Sequence, residues 1–212
     1  MMRRTLALAV CLALTGISLA PRARAETLGV TIGAIPIYII AIATLGRGCL
    51  SEETAESEYA RDGFYAGAGG SYGVENFGFR GTTDNSPGVT LRGGYRCHPS
   101  VSGELQAEYF TGFDSENALL APEVDAWVLT GNSRMYPFTR LLPERFQPYL
   151  LAGIGAMHAD KETGIAMRFG GGLDFYATPH FVLTAGFAYL APYEAVEKFD
   201  TLSLGAGLEY RF

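Results

Sequence analysis

The sequence contains few groups that could hold a metal ion or carry redox chemistry. It has only three cysteines and three histidines in 212 residues. No cysteine belongs to a C-x-x-C pair, and His98, His158 and His180 lack the spacing of zinc ligands. We therefore expect neither a metal nor a cofactor.

Positive charge is also scarce. Sixteen basic residues stand against 22 acidic ones, and nowhere do the basic residues form a tract. A protein that binds nucleic acid needs a basic patch or stripe to meet the phosphates. The composition therefore argues against nucleic acid as a partner.

The first 25 residues have the organisation of a secretory signal. A basic start, "MMRR", precedes the apolar stretch "TLALAVCLALTGISLA", and "ARA" before Glu26 is typical of a cleavage site. Removal of residues 1–25 takes away Cys11 and four arginines, which leaves a net charge of about −10 on the mature chain. It also leaves Cys49 and Cys97 in a compartment where disulfides can form.

A second apolar run, residues 28–45, carries no charge and just reaches the length of a membrane-spanning helix. Pro36 and two glycines make it a poor one. Three interpretations stay open: a spanning helix, an extended signal region, or a segment retained outside the main fold. A polar, acidic linker follows, so we assign residues 26–61 to an apolar segment plus linker.

From residue 62 onward the sequence predicts β-structure. Eight segments with a period of two are separated by turn signals. The clearest is residues 101–110, in which Val101, Leu105 and Tyr109 alternate with Glu104 and Glu108. The chain ends on the same pattern, "LSLGAGLEYRF". Residues 62–212 are therefore predicted to be an all-β domain.

The distribution of residues favours an antiparallel, up-and-down transmembrane barrel of eight strands over a soluble sandwich, which remains the alternative. Aromatic residues gather near the strand ends on the apolar face, as in the girdles of membrane barrels. The other face combines glycine with Arg and Glu, which suits a narrow lumen in which charges pair. Short and long connections mostly alternate, and an even number of strands puts both ends on the periplasmic side.

These segments resemble the eight-stranded outer-membrane barrel family, the group of OmpA-, OmpX- and Opa-like domains. The resemblance covers residues 62–212 and rests on "GFYAGAGGSYG", "FQPYLLAGIGA", "RFGGGLDFYATPHFVLTAGFAY" and the ending. It implies the outer membrane of a Gram-negative bacterium, with lipids and lipopolysaccharide as neighbours. It also implies that Leu208, Tyr210 and Phe212 form the signal read by the barrel-assembly machinery.

Charged residues on the predicted inner face should form a network of ion pairs in the lumen. Four are basic and four acidic, and most lie toward the periplasmic end: Arg92, Glu104, Glu108, Arg134, Arg168, Asp174, Glu209 and Arg211. Cys97 in the first periplasmic turn and Cys49 in the N-terminal segment share a compartment, so they could form one disulfide.

The predicted function is that of a non-enzymatic barrel with a structural or surface-interaction role, whose surface ligand is unknown. The first alternative is a small, porin-like channel. The second is an enzyme that modifies lipid A, for which His158 and Asp160 lie near the outer end without a serine in the same segment. Acidic residues in the predicted external loops could bind divalent cations, although solvated surface charge is the favoured interpretation: Asp84, Asp114, Glu116, Glu194 and Glu197.

Overall fold

The computed structural model describes residues 57–75, 85–113, 124–139, 142–159, 162–193 and 200–212. The predicted signal, the apolar run at 28–45 and Cys49 lie outside these ranges. Within them, no helix is both long and apolar enough to cross a membrane.

Eight strands form one closed antiparallel barrel in which each strand pairs with its neighbours in sequence. The barrel closes by pairing of the first strand with the last, from Tyr65 opposite Arg211 to Glu75 opposite Thr201. The eight-stranded up-and-down barrel predicted from the sequence is thus confirmed. The strands, β1 to β8, are Gly63–Glu75, Asn85–His98, Val101–Phe113, Val124–Met135, Phe146–Ala159, Glu162–Tyr176, Phe181–Pro192 and Thr201–Arg211.

The period-two pattern sets the two faces of the wall. On β2, Leu91 is 62% exposed on the outside, whereas the adjacent Thr90 is buried in the interior. The same alternation separates outward Leu105 on β3 from buried Glu104 and Gln106. Because side chains alternate across a strand, one set faces outward and is mostly apolar, whereas the other points into the lumen and is mostly polar.

Most strands extend beyond the alternating segments read from the sequence. β2 begins at Asn85 and β3 continues to Phe113, so both run into stretches that the sequence assigns to long connections. Ladder hydrogen bonds between neighbours continue past the end of the apolar pattern, since Val74 still pairs with Asn85. Because these strand ends contain polar residues, a pattern based on hydrophobicity ends before the strands do.

The two ends of the barrel differ. The first residue of β1 and the last residue of β8 lie at the same end of the barrel, here called the terminal end. Strands are connected at this end by residues 99–100, 136–145 and 177–180. Residues 76–84, 114–123, 160–161 and 194–199 join strands at the opposite, or loop, end. The connections at 136–145 and 160–161 break the expected alternation of short and long, as the sequence already indicates.

Residues 57–61 cross the terminal end and are here called the strap. A single 3-10 turn, Glu58–Ala60, is capped by Ser57, whose side chain accepts a hydrogen bond from the Tyr59 amide. Ala60 is buried. The sequence assigns this stretch to a linker, but in the structure the strap packs against the barrel mouth.

Candidate functional site in the barrel interior

The barrel interior has three layers along its axis. An apolar layer lies toward the loop end, an ion-pair layer fills the middle, and a layer of arginine and tyrosine lies beneath the strap at the terminal end. Each layer comes from inward positions of different strands. Together they occupy the lumen that a pore would need.

The apolar layer closes the interior toward the loop end. Its buried side chains come from β3 to β7 and pack into one cluster: Phe110, Ala126, Val128, Met157, Ala159, Ala166 and Leu190. Phe110, Met157 and Leu190 have no exposed surface. The sequence predicts glycine, polar and charged side chains in the lumen, because large apolar residues are expected to face outward.

The ion-pair layer is centred on Arg134 of β4. Its Nε lies 2.9 Å from a Glu104 carboxylate oxygen, and its Nη2 lies 2.9 Å from Glu209. Asp174 is 3.5 Å from Nη1. Arg92 adds a second guanidinium, 3.3 Å from Glu209. Because these groups are almost fully buried, each carboxylate depends on the nearby guanidinium groups for compensation.

A second ion pair lies closer to the apolar layer. Arg168 of β6 reaches across the lumen to the carboxylate of Glu108 on β3. The same carboxylate accepts hydrogen bonds from Thr90 at 3.2 Å, Gln106 at 3.1 Å and Ser203 at 3.5 Å. Glu108 therefore has three neutral donors in addition to its one cationic partner.

Two neutral amides connect the two groups of charges. The side-chain amide of Asn132 donates to Glu104 and to Gln106, each at 3.2 Å. Gln106 in turn donates to Glu108. The charges of the ion-pair layer thus belong to one continuous hydrogen-bonded network, which includes neutral amides that the sequence did not lead us to expect.

A cavity of about 30 Å³ lies within this network. Thr90, Arg92, Glu108, Arg168 and Ser203 are among the residues that line it. The Nε atoms of Arg92 and Arg168 are buried and have no hydrogen-bond partner among the described residues. A cavity of this size holds about two water molecules, which could accept from these donors.

Tyrosine rings contact arginines of both the ion-pair layer and the terminal layer. The Arg134 guanidinium lies 4.6 Å from the centre of the Tyr149 ring, and Arg96 lies 4.1 Å from that of Tyr136. Glycines make room for these rings: a Cβ added at Gly186 would lie 2.7 Å from the Tyr149 hydroxyl. Such cation–π contacts stabilise guanidinium groups without further carboxylates.

The strap closes the terminal mouth through its backbone carbonyls. The Tyr59 carbonyl accepts from Gln147 Nε2 at 3.2 Å, from Arg211 Nη1 at 3.2 Å and from Arg96 Nη1 at 3.5 Å. Its ring packs edge-on against Tyr176, with ring centres 5.7 Å apart. The strap therefore contacts β2, β5, β6 and β8 at once.

The structure brings seven of the eight predicted lumen charges into the ion-pair layer, while Arg211 lies apart from them. Arg211 instead contacts the strap and the Tyr176 hydroxyl. Arg96, on the inward set of β2, is fully buried beside it and was not assigned to the network from sequence. Its inward position on the same alternating set as Arg92 is the signal that could have revealed it.

The outward face carries the residues expected to meet lipid. The rings of Tyr109 and Trp127 contact each other near the loop end, with centres 4.3 Å apart and planes tilted by 38°. At the terminal end, Leu208, Tyr210 and Phe212 all point outward and are exposed. Their shared face is consistent with the assembly signal that the resemblance implies, and this role stays a prediction.

Other candidate residues are not gathered into a site. His158 faces outward, and its Nδ1 lies 2.9 Å from Thr163 Oγ1, whereas Asp160 is outside the described residues. Within the described ranges, no three His, Cys, Asp or Glu side chains are placed to hold a metal ion. Cys97 lies near the first terminal turn; because Cys49 is not described, their pairing stays a prediction.

Comparison with known proteins places this geometry in a family. Residues 40–212 match the outer membrane protein beta-barrel domain. No curated protein matches the sequence.

Solved structures share the fold at low sequence identity. Neisserial surface protein A, from Neisseria, superimposes with a TM-score of 0.58 at 17% identity, covering 70% of this chain and 97% of its own. OprG from Pseudomonas aeruginosa gives 0.53 at 15% identity, covering 71% and 96% respectively. Since the family match spans most of the sequence and both structures share its fold, this chain belongs to the outer membrane protein β-barrel family.

Proposed function

We propose that the protein is a closed, non-enzymatic outer-membrane barrel of a Gram-negative bacterium, with a structural or surface-interaction role. The observation that carries this proposal is the filled lumen. Phe110 and Leu190 occupy it toward the loop end, the Arg134 ion pairs fill the middle, and Tyr59 covers the terminal mouth. We orient the barrel in the membrane so that its terminal end faces the periplasm and its loop end faces the exterior of the cell.

The width of the barrel supports a non-conducting interior. Eight strands enclose a space just wide enough for side chains. The cavity among the polar side chains has a volume of only about 30 Å³, which is room for about two water molecules rather than for a continuous column. An ion could pass only if the apolar layer and the strap both moved.

The external connections are the proposed contact sites. Residues 76–84, 114–123, 160–161 and 194–199 contain seven acidic and three basic residues. This excess of negative charge favours a cationic partner or a bridging divalent cation over an anionic one. The outward apolar face, including Leu91 and Leu129, contacts lipid, and lipopolysaccharide adjoins the loop end.

A small channel is the second candidate, favoured by the polar cavity in the middle of the lumen. Conductance in planar lipid bilayers separates the two candidates. We expect the purified full chain to give no unitary currents under conditions in which a large porin, reconstituted in parallel, conducts. Reproducible single-channel steps that vanish in a heat-denatured sample would overturn the closed barrel.

Exchange of the external connections separates a structural role from surface interaction. In a deletion strain, the full chain is compared with a variant in which residues 76–84, 114–123 and 194–199 are replaced by short Gly-Asn turns. If the barrel acts structurally, both forms restore resistance of the envelope to detergent. If it acts by surface interaction, only the full chain restores this resistance, although the full chain and the variant assemble to equal levels.

A further inference from the structure

Two buried guanidinium groups at the terminal mouth form no ion pair with the residues that the structure describes. Arg96 has no exposed surface, and Arg211 is 5% exposed. Among the described residues the ion pairs of the lumen involve Arg92, Arg134 and Arg168, and neither of these two arginines joins them. Buried charges are ordinarily paired, so their surroundings call for explanation.

Both guanidinium groups converge on the same two neutral oxygens. Arg96 and Arg211 each donate through Nη1 to the Tyr59 carbonyl, at 3.5 and 3.2 Å, and each donates to the Tyr176 hydroxyl. Gln147 Nε2 adds a third donor to that carbonyl at 3.2 Å. A carbonyl oxygen offers two lone pairs, whereas a carboxylate offers about four, so this donor set suits an oxyanion better.

The charge balance of the interior also favours an anion at this position. The ion-pair layer contains four carboxylates and three guanidinium groups: Glu104, Glu108, Asp174, Glu209, Arg92, Arg134 and Arg168. Among the described residues, Arg96 and Arg211 bring the charges of the interior to one positive charge in excess. One anion beside them would neutralise it.

The strap is held in a way that permits exchange. Besides its carbonyls, the strap contacts the barrel through a few side chains. Ser57 donates to Glu144 at 2.9 Å, the Tyr59 ring packs against Tyr176, and Arg61 Nη2 lies 3.1 Å from His180 Nδ1. The Arg61 carbonyl accepts from Arg211 at 3.4 Å. These carbonyl oxygens carry partial negative charge and accept from both guanidinium groups, so they substitute for an anion.

We propose that Arg96, Arg211, Gln147 and Tyr176 form an oxyanion-binding site at the terminal mouth, which the carbonyls of the strap occupy in this structure. A carboxylate or phosphate group displaces the strap and binds both guanidinium groups. The site opens toward the periplasm in the proposed orientation. It requires no change in the apolar layer, so binding does not depend on conduction.

The test uses the full chain in detergent micelles and isothermal titration with two probes, inorganic phosphate and succinate. Tyr59→Ala removes the ring that anchors the strap on Tyr176 and should raise affinity for a probe about tenfold over the unsubstituted chain. Adding Arg211→Gln should abolish this binding. Adding Arg145→Gln serves as the matched control, because Arg145 is exposed and its contact with Tyr59 is already lost.

The two probes distinguish the chemistry, since binding of phosphate alone, of succinate alone or of both supports the site and identifies its ligand class. If neither probe binds Tyr59→Ala, or if binding survives Arg211→Gln unchanged, the proposal is wrong. Heat-dependent gel mobility verifies that each variant is folded. Should Arg211→Gln fail to fold, Gln147→Ala in the Tyr59→Ala background takes its place, with an expected loss of affinity of about tenfold for one hydrogen bond to a charged group.

Discussion

Neutralising Glu108 should destabilise the barrel more than removing Arg168, although the two side chains form one ion pair. The variants are Glu108→Gln, Arg168→Met and the double substitution. Each retains much of the volume of the residue it replaces, so the changes in the free energy of unfolding report on charge and hydrogen bonding rather than on a cavity.

The asymmetry follows from the remaining partners of each group. Removing one member of a buried ion pair costs about 3–5 kcal/mol. Without Arg168, the Glu108 carboxylate still accepts from Thr90, Gln106 and Ser203, so we expect about 3 kcal/mol. In Glu108→Gln, the buried Arg168 loses its carboxylate and competes for one amide oxygen, so we expect about 5 kcal/mol. The double variant leaves no charge uncompensated and should cost at most about 3 kcal/mol, well below the sum of about 8 kcal/mol for the single variants.

Urea unfolding of the full chain reconstituted in lipid vesicles measures these differences. Trp127, the only tryptophan, faces outward near the loop end and reports insertion by its fluorescence. The midpoint should fall furthest for Glu108→Gln, with an unchanged slope. If the two single effects add within about 0.5 kcal/mol in the double variant, the pair is not coupled and the reasoning fails. A larger loss for Arg168→Met than for Glu108→Gln would refute the argument from remaining donors.

Three further predictions concern packing, assembly and the disulfide. Gly186→Ala places a methyl group 2.7 Å from the Tyr149 hydroxyl and should cost about 1–3 kcal/mol in the same unfolding assay, whereas Tyr149→Phe in that background should recover part of the loss. Phe212→Ser should lower the yield of heat-modifiable barrel in the outer membrane without lowering synthesis, and an unchanged yield would count against the assembly signal. If Cys49 and Cys97 pair, the mature chain should migrate faster on non-reducing than on reducing gels; equal mobility together with free alkylation of both thiols would disprove the bridge.

The wall of the barrel could be predicted from the sequence because it obeys a local rule. Lipid outside and side chains inside impose an alternation that every strand repeats, so Leu105 beside Glu104 already indicates which residue faces outward. The last strand, β8, shows the same alternation of outward and inward residues. Its pairing with β1 follows because a barrel in lipid can leave no open edge. The strand count and the two faces therefore required no tertiary information.

The interior could be predicted only in part, since its contacts join residues distant in sequence. Charge type suggests that Arg134 pairs with carboxylates, but not that it contacts three of them. The bridge through Asn132 and Gln106 depends on neutral amides that no charge pattern selects. The apolar layer was missed for another reason: Met157 and Leu190 are inward residues of the type that the sequence rule assigns to lipid.

The hydrogen bonds of the strap depend on closure of the barrel. Its Tyr59 carbonyl binds Arg96 on β2 and Arg211 on β8, the two strands that flank β1. Neither strand alone presents both donors, so the strap can dock only on a cylinder whose first and last strands have met. Docking through both arginines therefore requires β8 to be paired with β1, because only then do the two donors face the same carbonyl.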